Sequence, residues 1–304
     1  MATARVGYLG PEGSFSHEAV ATLLDVDAVA YPAIEDLLAA VAEGSLDQGL
    51  VPLENALEGT VSATIDGLVF LHDLVIVQEI VLPIHLQLLT RPGVELKDVT
   101  SVRSYVHALA QVREFLHHHG LSSVQTTSTS QAAQDVAESN EPWAAVGSAL
   151  AGEILGLVVA ASDIEDHPDN ATRFVLVGRD DIAAATGHDR TTIVCFQDAD
   201  RPGSLYAILG RFAARDINLT KLESRPTKRG LGDYCFVIEF EGHVADEVVA
   251  DCLADLQAHL ARVKFLGSYP VTGEGSNDRR DEVTDARRSA AEWIHSIRAR
   301  IRPA

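Results

Sequence analysis

The segment Thr191 to Leu266 leaves this chain the fewest folds to choose from. It reads strand Thr191 to Gln197, helix Ser204 to Arg215, strand Ile217 to Arg225, strand Tyr234 to Glu241, helix Ala245 to His259 and strand Val263 to Leu266. Apolar residues alternate in the strand segments and return every third or fourth residue in the helical ones. This βαββαβ order closes into one four-stranded sheet with both helices on one face, the ferredoxin-like arrangement. Gly230 and Gly232 are placed to turn the chain between the two central strands.

Residues 4 to 178 follow a different plan, in which short apolar runs alternate with helical patterns. Ala4 to Leu9, Ala28 to Tyr31, Gln48 to Leu53, Val99 to Arg103, Val124 to Thr127, Ala144 to Gly147 and Phe174 to Gly178 read as strands. Helical periodicity marks Ser16 to Leu24, Ile34 to Ala42, Thr60 to Leu71, His107 to His119, Ser130 to Glu138 and Ala149 to Leu155. That alternation is the grammar of an α/β domain. Between the extended runs Val75 to Val81 and Ile84 to Thr90 stands Pro83, which cannot donate to a sheet ladder and so marks a crossing or hinge. Arg179 to Arg190 reads as a polar linker. The expected division is an α/β domain over 1–180, the βαββαβ domain over 190–270 and a helical tail over 275–304. The tail places Val283, Ala286, Ala290, Trp293, Ile297 and Ile301 on one face, suited to docking on its own subunit or to a coiled-coil contact between subunits.

A chain of 304 residues with 46% hydrophobic content can bury the cores these domains need. Lys plus Arg is 24 against 44 Asp plus Glu, a formal net charge of −20. That field excludes nucleic acid and anionic membranes as partners. It would repel an anionic metabolite too, so a site for one needs local cations. No stretch approaches the ~18 apolar residues of a membrane span. Residues 1–10 read as a first strand rather than a signal peptide, which leaves a cytoplasmic location as the expectation. Cys195, Cys235 and Cys252 form no CxxC pair and fit reduced core thiols. His117, His118 and His119 end a helix before Gly120 and lack a carboxylate or Cys at ligand spacing, so no metal is expected there. GxGxxG, a Walker-type lysine motif, GxSxG and HExxH are all missing, and no cofactor is implied.

Three local motifs remain in the first domain. Gly7-Tyr8-Leu9-Gly10-Pro11-Glu12-Gly13-Ser14-Phe15 runs from a strand through a Gly/Pro turn into a helix. Val51-Pro52-Leu53-Glu54-Asn55 is followed by Gly59 and Thr60, and Asp169-Asn170-Ala171-Thr172-Arg173-Phe174 opens the last strand. In the second domain Pro202-Gly203-Ser204-Leu205 begins the first helix, and Ile217 to Pro226 carries Glu223-Ser224-Arg225-Pro226. In this order the motifs resemble those of the prephenate dehydratases over about residues 5 to 270, with a second domain similar to an ACT domain of the phenylalanine-responsive type. The family pattern has His-Pro-Gln before Ala-Leu-Ala-Gln, where this chain has Tyr105-Val106-His107 before Ala108 to Gln111. The flanking Ser104 and Gln111 match.

The resemblance implies two α/β lobes like a periplasmic binding protein, a site in their cleft, and ACT domains that pair across subunits in a homodimer or homotetramer. It implies prephenate as substrate, L-phenylalanine as effector, and no cofactor or metal. Thr172, Arg173 and Phe174 match the family's catalytic motif, and Ser14, Asn55, Ser104, Gln111 and Asn170 are substrate-binding candidates. For phenylalanine the candidates are Gly203, Ser204, Leu205, Asn218, Leu219, Glu223, Ser224 and Arg225. The residue types suit the chemistry: Thr172 can donate to a leaving oxygen, Arg173 can grip a carboxylate with two bonds, and Phe174 can form an apolar wall. Plainer roles stand beside these. Ser14 can be an N-cap, Asn55 can cap the next helix, and Glu165, Asp166 and Asp169 can form a solvated acidic loop, with Glu165 or Asp166 as a second candidate acid. Arogenate dehydratase and a non-catalytic amino-acid sensor are the competing functions.

Overall fold

The computed structural model describes residues 3–197, 201–228, 233–272, 292–294 and 296–300. The chain forms two compact units, one of Met1–Val75 and Glu79–Asp181, the other of Ile76–Gln78 and Ile182–Ala304.

The first unit begins with β1 (Ala4–Leu9), α1 (Phe15–Ala21), β2 (Val26–Tyr31), α2 (Ile34–Glu43), β3 (Gln48–Asn55), β4 (Gly59–Thr60), α3 (Ser62–Asp66) and β5 (Val75–Pro83). It continues through β6 (Gln87–Thr90), β7 (Ser101–Tyr105), α4 (Val106–Ala110), α5 (Arg113–His118), β8 (Ser123–Thr126), α6 (Thr129–Glu138), β9 (Trp143–Gly147), α7 (Ala149–Leu155) and β10 (Val158–Ala161), and ends with β11 (Ala171–Gly178). Two sheets result, one with order β2-β1-β3-β11-β5 and β4 beside β3, the other with order β10-β6-β9-β7-β8. Each sheet is the centre of one lobe, and the chain crosses between them twice, after β5 and before β11. This is the two-lobed α/β plan that the resemblance implies.

The sequence explains the packing of the first lobe. Ile34, Leu37, Leu38 and Val41 line one face of α2 and are buried on β1 and β3. Gly49 of β3 lets that helix come close, because a Cβ there would overlap the Leu37 side chain. β11 pairs antiparallel with β3, Thr172 opposite Asn55 and Arg173 opposite Glu54.

Some elements differ from expectation. The helix expected over His107 to His119 is two, because Gln111 caps α4 and Val112 leaves helical geometry. Asp166 then supplies the second start, its carboxylate accepting from the N–H groups of Arg113 at 2.9 Å and Glu114 at 3.1 Å. Thr60 belongs to β4, and the helix after it widens into a π turn over Gly67–Leu71. β11 begins at Ala171, so Thr172 and Arg173 lie inside a strand. β10 was not anticipated.

The second unit contains β12 (Asp189–Phe196), α8 (Ser204–Ala213), β13 (Leu219–Pro226), β14 (Tyr234–Glu241), α9 (Glu247–His259) and β15 (Arg262–Pro270). Its sheet order is β13-β14-β12-β15, antiparallel throughout. Ile193, Ile238 and Phe240 of the sheet pack on Ile208 and Phe212 of α8 and on Val249, Cys252 and Leu256 of α9. The three cysteines are free and buried. Burial pushes the Cys195 thiol up to about 12 and Cys252 up to about 11, so neither offers a thiolate at neutral pH. Gly230 and Gly232, the loop residues 198–200 and most of the expected tail helix lie outside the described residues. Residues 292–294 and 296–298 are helical, with Trp293 and Ile297 exposed. Among the described residues no helix is long and apolar enough to cross a membrane.

Candidate active site

Asn55 ends β3 directly opposite Thr172 near the start of β11. Its Oδ1 accepts from the N–H groups of Leu57 and Glu58, both at 3.0 Å. Two backbone donors identify that atom as the oxygen, so the amide nitrogen faces the other way. That nitrogen stands 3.0 Å from Thr172 Oγ1, 3.0 Å from Asn170 Oδ1 and 3.3 Å from the Ala171 carbonyl. Asn170 is buried and donates through Nδ2 to Gln111 Oε1 at 2.9 Å. Gln111 caps α4 in the second lobe. Four side chains thus form one polar chain across the lobes, ending at Thr172. The Thr172 hydroxyl accepts from Asn55, and among the described residues it donates to no protein group. The Gln111 amide nitrogen likewise has no protein acceptor among them. The site therefore presents a fixed hydroxyl donor and a fixed amide donor.

Arg173 faces the other side of the strand from Thr172, as successive strand residues do. Its Nη2 lies 2.9 Å from Glu54 and its Nη1 3.3 Å from Glu79, whose side chain is only 2% exposed. A guanidinium open to a substrate carboxylate was expected, and this one is held between two protein carboxylates. Phe174 is 1% exposed, a core residue rather than a wall open to ligand.

The other candidates divide. Ser14 is the N-cap of α1, its hydroxyl accepting from His17 N–H and donating to the Leu9 carbonyl. Ser104 is fully buried and donates to the Val146 carbonyl at 2.6 Å. Among the described residues no hydrogen bond joins either to the Thr172 chain. Glu165 and Asp166 are not a solvated loop: Asp166 caps α5, and Glu165 accepts from Leu86 N–H at 2.8 Å and pairs with His85 at 3.0 Å. His85, Asp163 and Glu165 place donor atoms within 4.8 Å of one another, the arrangement a cation could use. Both carboxylates already have protein partners, Leu86 N–H and the Gln87 amide, and the cluster pins one crossing between the lobes to the other.

The lobes also meet at the Gly/Pro turn. Gly13 has φ +78°, and a Cβ there would stand 2.9 Å from Ala151 Cα of α7. Ser148, the N-cap of α7, donates to the Gly13 carbonyl at 2.6 Å. Beside it, Glu18 accepts from Leu150 N–H at 3.4 Å, and burial raises its carboxyl above the ordinary range. The folded state therefore holds this proton more tightly than the unfolded chain, so the group costs stability as pH rises through its titration. Glu18→Gln is expected to melt higher than the parent near about pH 8 and at the same temperature near about pH 3, below the unfolded carboxylate range. A lower melting temperature at the alkaline end would contradict this.

For the second unit, α8 runs back along the sheet from the end of β12 to the start of β13. Gly203, φ +87°, caps the N-terminus of α8. Asn218 and Leu219 lie at that helix's other end, where Ile217 N–H donates to the Phe212 carbonyl. They are therefore not beside Gly203 within one chain. The far end of β13, where Arg225 pairs with Glu223 at 2.8 Å, lies at the same end of the sheet as the end of β12, from which the chain leads to Gly203.

Residues 6–182 match the family model described as prephenate dehydratase, and residues 191–258 match that of the ACT domain. The chain is 39% identical over 304 residues to the prephenate dehydratase of Amycolatopsis methanolica, covering 96% of this chain and 97% of that one. The prephenate dehydratase of Arthrobacter aurescens, solved in complex with L-Phe, superposes with a TM-score of 0.88 at 37% identity, covering 96% of this chain and 99% of that one. GqqA, described as a quorum-quenching acylase, superposes at 0.81 with 29% identity, covering 88% of this chain and 98% of that one. Motif order, lobe architecture, and matches over nearly the full length agree that the chain belongs to the prephenate dehydratase family.

Proposed function

We propose that the chain converts prephenate to phenylpyruvate, a carbon–oxygen lyase reaction, with Thr172 assisting the leaving group. Prephenate is a dianion whose cyclohexadienol ring bears a carboxylate and, across the ring, the C4 hydroxyl. Loss of the carboxylate as carbon dioxide sends its electron pair through the diene and expels the hydroxyl, which takes up one proton to leave as water. Aromatisation drives the step, so no strong base is needed. The requirement is a donor at the departing oxygen.

The observation that carries this reading is the Thr172 hydroxyl, held as an acceptor by Asn55 while its own proton has no protein acceptor among the described residues. A threonine is too weak an acid to protonate the oxygen beforehand. A hydrogen bond that strengthens as charge develops is within its reach. Gln111 and Asn170 orient the substrate without adding charge. Arg173 acts from the opposite face by holding Glu54, and with it the end of β3 that carries Asn55. Phenylpyruvate formation from prephenate by the purified protein tests the reading. Faster turnover of arogenate would replace prephenate as the substrate, and turnover of neither would leave an amino-acid sensor.

The second unit serves regulation in this proposal. One phenylalanine can meet both Gly203 and Asn218 only if two chains contribute, because the two residues sit at opposite ends of one sheet. β13 is an edge strand. Antiparallel pairing of two such edges brings Asn218 of one chain level with Glu223 to Arg225 and Gly203 of the other, which supports a homodimer or a dimer of dimers. Phenylalanine is expected to inhibit turnover by favouring one arrangement of the subunits. Calorimetry with the full chain checks this: no heat of phenylalanine binding would end the proposal, and binding without inhibition would end the coupling.

A further inference from the structure

The contacts around Thr172 close into a ring that the residues assigned so far do not complete. Asn55 Oδ1 accepts from Glu58 N–H at 3.0 Å, and the Glu58 carboxylate stands 2.7 Å from His107 Nδ1. The His107 carbonyl accepts from Gln111 N–H at 3.1 Å. Gln111 Oε1 accepts from Asn170 at 2.9 Å, and Asn170 Oδ1 accepts from Asn55 at 3.0 Å. Asn55 and Glu58 belong to the first lobe, His107 and Gln111 to α4 and its cap in the second. The ring therefore joins the lobes twice, once through the buried Asn170 amide and once through the half-exposed contact between the His107 imidazole and the Glu58 carboxylate.

We propose that Glu58 and His107 are positioning residues, a latch across the outer side of the cleft that sets the spacing between Asn55 and Gln111. An exposed pair of this kind adds little stability by itself. Its two ends are fastened to the residues that orient Thr172 and Asn170, however, so its effect falls on site geometry rather than on melting. The Tyr105 ring lies 5.1 Å from the imidazole, tilted by 42°, and helps to hold its direction. Neither partner needs to touch substrate. With the latch open, Gln111 moves away with α4 and the amide donor it carries is misplaced.

This inference rests on the reading that the Thr172 site handles prephenate, and its test separates the two. Glu58→Ala, His107→Ala, the double variant and His107→Gln are compared with the parent for KM and kcat. Amide hydrogen exchange over 55–58 and 107–111 is followed in the substrate-free protein. Each alanine variant is expected to raise KM about 3- to 10-fold with kcat within about two-fold, since the lost contact positions rather than reacts. The double variant should be no worse than the poorer single one, because both remove the same contact. His107→Gln, whose amide can still donate to Glu58, should recover most of the loss. Exchange in both segments should quicken in the alanine variants. Additive KM effects, or KM and exchange both unmoved, would overturn the latch. If exchange quickens as expected but the parent does not turn over prephenate, the latch stands and the substrate assignment falls.

Discussion

Thr172→Ala is expected to lower kcat by ~10²-fold or more while leaving the fold intact, the size typical of losing a positioned proton donor. The side chain is short, half-buried and joined to the protein through one acceptor role, so its removal leaves no buried charge. Asn55 keeps Asn170 and the Ala171 carbonyl as acceptors, and Leu57 and Glu58 still hold its oxygen. Binding should change less than turnover, because the hydroxyl matters most when charge has built up on the departing oxygen. Thr172→Ser restores the donor without the methyl group and should recover part of the rate. Steady-state kinetics with prephenate are the check. An alanine variant within a few-fold of the parent would mean that the leaving oxygen is assisted from elsewhere.

Arg173→Ala should be the most destabilising single change near the site, by about 3 kcal/mol or more, the cost of breaking a buried ion pair. Removing the guanidinium leaves the carboxylates of Glu54 and the almost fully buried Glu79 without the cation between them. Arg173→Lys keeps the charge but cannot reach two carboxylates with a planar fork, so an intermediate loss is expected. Urea denaturation of the three proteins measures both. An unchanged midpoint in the alanine variant, together with a raised KM, would return Arg173 to the role of substrate anchor.

The order of elements in the second unit was legible because each segment carries its own periodicity. Thr172, Asn55, Asn170 and Gln111 were legible as candidates because they stand in ordered motifs, and the structure brings those four together. What escaped was set by partners distant in sequence. Glu79 gives Arg173 a second carboxylate, and nothing in Val75 to Val81 marks it as more than a strand residue. Asp166 starts α5 from a loop on the far side of β10, so the break after Ala110 leaves no local mark. The separation of Gly203 from Asn218 is a matter of direction: periodicity names helix and strand but not which ends coincide. β10 is four residues long, too short for alternation to announce it.

β11 lies between β3 and β5, yet the ribosome makes it only after the whole second lobe. The strands of that lobe, β6 to β10, are encoded without interruption, whereas the first sheet waits for a segment that emerges last. Since folding during synthesis proceeds by units that are complete, the second lobe can mature while β3 still lacks its neighbour. The nascent chain then carries Thr172 into register opposite Asn55 as the last step in building these two sheets, before the second unit is made. A chain made only as far as β10 thus holds the strands of the second lobe but lacks the proposed place for prephenate to react, which is completed when β11 is inserted.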